Sequence, residues 1–265
     1  MMRVLRAELL KVRTTAGPWV VLLVALLFTA LGIIGTFLRQ VSTHHTVFTA
    51  PLSEHGLRNL VGAGYTGGIV MAPILGVLCV TSEYRHKVIT TTFLVTPRRA
   101  QVLVAKVLAS AIWGVLLCLA TLALVAALGI PLLVTQGGSL SAMADQVAPV
   151  VPGLLGAFAL LAVFGAGVGV LVKNQVAGVI LTIGGTIALE PIIVALVRTL
   201  LHADLNWLPS EATAALAGGL TRGGGTGLAA ATRLLSWWLG GLALLAWGIG
   251  TAVLGYFTTF RRDVT

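Results

Sequence analysis

The chain has 265 residues, is 57% apolar and 9% charged, and carries a formal net charge of +9. Soluble globular domains are about 25% charged, so lipid rather than water is the main solvent implied here. The basic residues sit in short clusters beside apolar runs, not on one face or in a tail, which argues against nucleic acid as a partner and for the orientation rule of membrane proteins.

In chain order, residues 2–15 come first. Leu5, Leu9 and Val12 share a helical face with Met1 and Met2, flanked by Arg3, Arg6 and Arg13. A basic amphipathic helix of this kind lies in the plane of an anionic membrane surface. The other reading, the charged start of a signal sequence, fits poorly. The next apolar run is too long for a signal core and lacks an A-x-A site. That run, residues 18–38, has 21 residues without a charge, enough to cross about 30 Å of hydrocarbon. Residues 39–59 are polar and include His44, His45, Glu54, His55 and Arg58. Their spacing does not match a metal site, so an exposed loop is expected.

Residues 60–80 form a second expected span. Gly64, Gly68, Ala72 and Gly76 repeat every four residues, a small-residue ridge along which another helix can approach closely. Pro73 is expected to kink it. Cys79 and Cys118 both lie in apolar runs and read as packing residues rather than a disulfide. Residues 81–106 then form a polar island with Glu83, Arg85, His86, Lys87, Arg98, Arg99 and Lys106, expected to lie in water.

A third span is expected over 107–133, closed by Pro131, and a fourth over 150–172. The latter contains Gly165, Gly167 and Gly169 in a run that superficially resembles a phosphate loop. No strand precedes it and no lysine stands directly after its glycines, so helix packing is the better reading. Lys173, Asn174 and Gln175 give a tight turn into a fifth span over 176–197. Residues 198–233 make a longer outer segment, in which 210–220 is apolar enough for a short interfacial or re-entrant helix. The sixth span, 234–257, carries Trp237, Trp238 and Tyr256 near its ends, as interfacial aromatic belts do.

Charge sets the expected orientation. With the N-terminus inside, the cytoplasmic side holds Arg3, Arg6, Lys11, Arg13, Arg85, Lys87, Arg98, Arg99, Lys106, Lys173, Arg261 and Arg262. The outer side holds Arg39, Arg58, Arg198, Arg222 and Arg233. Twelve against five places both termini and residues 81–106 in the cytoplasm.

Several chemistries lack their motifs. The lysines at 11, 87, 106 and 173 do not follow a glycine, so the chain has no G-x-x-x-x-G-K-[ST] phosphate loop. Serine-hydrolase and zincin motifs are also missing. Glu190, followed by Pro191, stands inside the fifth span. A charge there costs about 2.5–3.5 kcal/mol on insertion scales and usually faces a cavity or a partner, so Glu190 is a candidate for the translocation path.

With the loop placed, the residues E-Y-R-x-x-x-I-T-T-T-x-L-x-T-P-R-R over 83–99 and K-V-L from Lys106 resemble the ABC-2 type permeases, the membrane subunits of ABC exporters. The architecture resembles that family across essentially the whole chain. The resemblance implies an all-α membrane protein, a single permease domain over 1–265. It has six transmembrane helices, an N-terminal interfacial helix and a short cytoplasmic coupling helix. It further implies a coupling role for Glu83, Tyr84, Arg85, Lys87, Thr96, Pro97, Arg98 and Arg99, toward a separate ATPase that holds ATP and Mg. A second permease copy would complete an outward path in the bacterial cytoplasmic membrane, with membrane lipid as the surrounding partner. Lys87 departs from the glycine common in such loops. Residues 88–93, β-branched but for Phe93, by propensity read as strand; the helical reading comes only from the resemblance. The rival readings are an ion-coupled secondary transporter using Glu190 and, behind it, an intramembrane enzyme. The substrate is not legible.

Overall fold

The computed structural model describes residues 1–44, 54–86, 99–135, 145, 147–218 and 235–260. The described residues contain no strand. Helix α1 (Met2–Thr14) lies at the foot of a bundle of long helices: α2 (Ala16–His44), α3 (Glu54–Arg85), α4 (Arg99–Thr135) and α5 (Val151–Val172). The fifth span is α6 (Gln175–Ile183), a π-helical segment (Gly184–Leu189) and α7 (Glu190–Leu201). A short helix, α8 (Pro209–Leu216), precedes α9 (Trp237–Gly255), which ends in a π-helical turn (Tyr256–Phe260). Six helical stretches among the described residues are long and apolar enough to cross a membrane.

Several boundaries differ from those the sequence suggests. Helix α3 continues past residue 80 to Arg85, and α4 begins at Arg99, so the polar island between them is shorter than expected. The polar residues Thr81, Glu83 and Lys106 are buried rather than in water. Pro131 lies inside α4 and does not end it. Prolines are tolerated within membrane helices because neighbouring groups satisfy the freed carbonyl.

Helices α3 and α5 form the centre. In their most apolar windows 61% and 56% of positions are buried, against 6% in the fifth span, which is thus peripheral. The glycine ridge explains the close packing. A Cβ at Gly68 would strike the Phe158 ring, and one at Gly76 would overlap the Ala162 carbonyl. From the other side, Gly165 faces the Pro73 carbonyl and Gly169 faces Val77 and Val80. Gly167 points instead at Thr251 and Ala252 of α9. The glycine run of α5 is therefore the seam where α3 and α9 converge on it, a packing device.

The turn between α5 and α6 is tight. Lys173 adopts a left-handed φ of 55°, and the Asn174 side chain accepts from the N–H groups of Val176 and Ala177. Asn174 thus caps α6. At the far end, α8 is buried between α5 and α9. A Cβ at Gly153 would overlap the Leu216 carbonyl, and one at Gly240 would press on the Ala212 carbonyl. The Trp207 and Trp247 rings stack at 5.9 Å, and Trp247 Nε1–H donates to the Trp207 carbonyl. The described part of the apolar segment expected over 210–220 contains the short helix α8, pinned to its neighbours.

Candidate functional site

Four charged side chains meet where α1 crosses the ends of α3 and α4. Helix α1 supplies Glu8 and Lys11, one turn apart; α3 supplies Glu83; α4 supplies Lys106. Lys106 Nζ donates to Glu8 Oε2 at 2.8 Å and lies 2.8 Å from Glu83 Oε1. Lys11 Nζ donates to Glu8 Oε1 at 2.8 Å and to Glu83 Oε1 at 2.7 Å. Each ammonium therefore touches both carboxylates, and the four form a closed, formally neutral ring. Lys106 is 1% exposed, Glu8 3% and Glu83 6%, whereas the Lys11 side chain is 40% exposed. Glu83 Oε2 is buried without a hydrogen-bond partner among the described residues.

Burial works against the charge on Lys11. The hydrogen bonds and fields of Glu8 and Glu83 outweigh it and hold the ammonium above its ordinary value of 10.5. The stability this adds is complete below pH 10.5 and is lost only as pH rises through the raised value. A pairing of this kind is weak in net energy but intolerant of damage. Desolvation consumes most of the attraction, yet removing one partner strands a buried charge.

The ring brings together two residues singled out in the sequence, Glu83 and Lys106, and two that were not, Glu8 and Lys11. Glu8 carried a signal. Three residues after Leu5 and four before Val12, it is an acid on the apolar stripe of a basic helix. Val12 is buried against the bundle, not in lipid. Trp19 Nε1–H donates to the Arg13 carbonyl and fixes the corner between α1 and α2.

Of the other residues expected to couple to a partner, Tyr84 is half-buried and packs on Val80, Leu103, Ala166 and Val170. Arg85 is exposed at the end of α3, and Arg99 is half-buried at the start of α4. Lys87, Thr96, Pro97, Arg98 and the expected coupling helix lie outside the described residues. Among the described residues, no group of three His, Cys, Asp or Glu could hold a metal. His45 and the side chains of His44, Glu54 and His55 lie outside the described residues.

Glu190 lies far from the ring along the fifth span. It is 8% exposed, and its Oε2 accepts the Ser210 N–H at 2.9 Å. Ser210 is in the first turn of α8, where backbone N–H groups lack helical partners. Glu190 therefore caps α8 from a neighbouring span, directly after the π-helical segment. It is not brought to the charge ring.

Six helical stretches long and apolar enough to cross a membrane, among the described residues, define a multi-pass membrane protein. The sequence pattern of the family described as ABC-2 family transporter protein matches residues 4–189. The chain belongs to that family and is a membrane permease component of an ABC transporter, not a catalytic subunit. None of the curated proteins matches the chain.

Proposed function

We propose that the chain is the permease subunit of an ATP-driven exporter in the bacterial cytoplasmic membrane, with both termini cytoplasmic. Two permease copies would form the substrate path, and separate ATPase subunits would bind ATP and Mg. The observation that carries this reading is the junction of α1, α3 and α4, of which α3 and α4 flank residues 87–98 in sequence. Helices α3 and α4 end here in Arg85 and Arg99, and the ring fixes them to each other and to α1. A partner pressing on this face would meet a braced surface. The basic asymmetry, twelve residues against five, supports its cytoplasmic placement.

In this reading Arg85, Lys87, Thr96, Pro97, Arg98 and Arg99 form the docking face, with Tyr84 packed behind it. Glu83 acts from inside through the ring, because its carboxylate is already engaged by Lys11 and Lys106. The geometry at Glu190 favours a structural role over an ion-coupling one, since the carboxylate is taken by the Ser210 N–H. The test is capture from native membranes. The tagged chain should retain a P-loop ATPase in mild detergent, and elution without one contradicts the proposal.

A further inference from the structure

Helix α1 has little apolar burial to hold it in place. Of its 13 residues only Glu8 and Val12 are buried. The outward positions include Met1, Met2 and Leu10 together with Arg3, Arg6 and Arg13. The apolar contacts of Val12 and of half-buried Val4, Leu5 and Leu9 are non-directional and do not set a register. The ring does. Lys106 has no water to turn to, and a slide of α1 would remove Glu8 from it while parting Lys11 from Glu83.

We infer that Glu8 and Lys106 are positioning residues for transport, making α1 move as one body with the ends of α3 and α4. Displacement of α3 and α4 by ATP binding on a partner is then carried into α1. The exposed arginines of α1 hold the membrane surface, where each basic contact with anionic lipid adds attraction. This rests on the reading that an ATPase drives the chain. The claim itself concerns how motion spreads inside the permease.

Two measurements test it, both on the chain with its co-purified ATPase in proteoliposomes. In the first, Glu8→Leu is combined with Lys106→Met. The pair is replaced by apolar groups of similar size, and Glu83–Lys11 remains as a neutral pair. Such replacements of buried ion pairs are commonly tolerated by the fold. Transport is read per ATP hydrolysed by the complex, so a change in the amount of bound ATPase cancels. Transport per ATP should fall about ten-fold, within the usual range of coupling between sites. A ring that only stabilised the fold would change the amount of complex and leave this ratio alone. An unchanged ratio overturns the inference.

The second measurement needs no ring variant and so holds if the first variant fails to fold. Spin labels at Arg6→Cys and Val104→Cys, both exposed positions, report the distance from α1 to α4. With a rigid ring the distance is the same with and without nucleotide. A change larger than about 2 Å, the size of an ordinary helix shift, overturns the inference. Absence of an ATPase from the wild-type preparation is a different failure. It removes the ATP-driven reading and the transmission role together.

Discussion

Lys106 of α4 and Glu8 of α1, 98 positions apart in sequence, meet at 2.8 Å with the ammonium almost wholly out of water. Lys106→Met alone strands two buried carboxylates around Lys11. It should destabilise the protein by about 3–5 kcal/mol. Glu83→Lys, which brings a third ammonium into the ring, should be at least as damaging. Thermal unfolding in detergent checks both. A wild-type midpoint for Lys106→Met would mean that the ring contributes no structural constraint.

Arg85 is the contrasting case. It is exposed at the end of α3, so Arg85→Glu should change stability by less than about 0.5 kcal/mol. If it meets the ATPase at a desolvated contact, charge reversal should weaken docking by about 2 kcal/mol or more. A pull-down at matched expression measures this. Wild-type binding by Arg85→Glu would remove this residue from the docking face.

At Glu190 the expected outcome depends on the replacement. Gln keeps an oxygen for the Ser210 N–H, so Glu190→Gln should fold and support ATP-driven transport. Glu190→Leu leaves that N–H unsatisfied beside α8, a cost of about 1–3 kcal/mol. If Glu190→Gln stops transport with ATP present, or makes it independent of the proton gradient, the ion-coupled rival gains.

The glycines divide into two groups by what surrounds them. Gly76→Ala drives a methyl into the Ala162 carbonyl of α5, where backbone must move, and should cost about 1–3 kcal/mol. Gly35 has open space at its Cβ position, so Gly35→Ala should be neutral or stabilising by up to about 1 kcal/mol. Unfolding midpoints of the two variants should therefore move in opposite directions or differ widely.

Much of the fold was legible because a membrane span writes itself as a long apolar run, and small-residue spacing marks where helices touch. The ridge of Gly68, Ala72 and Gly76 packs as its period suggests. Helix ends were less legible. Thr81 and Glu83 look like loop residues in sequence, but α1 and α4 cover them and the helix runs on. The interruption before Glu190 is the π-helical segment Gly184–Leu189, which no apolar pattern distinguishes from ordinary helix. The ring was half legible. Glu83 and Lys106 stood out by charge, but pairing with Glu8 is a long-range contact that local periodicity does not encode. The acid on the apolar stripe of α1 was the available signal.

In the proposed function this membrane component borrows the ATP hydrolysis of a separate subunit. The most direct measurement is ATP hydrolysis by the tagged chain purified from native membranes, before and after the partner is stripped away. The account predicts hydrolysis that leaves with a P-loop ATPase and is lost from the remaining chain. Hydrolysis that stays with the isolated chain would contradict it.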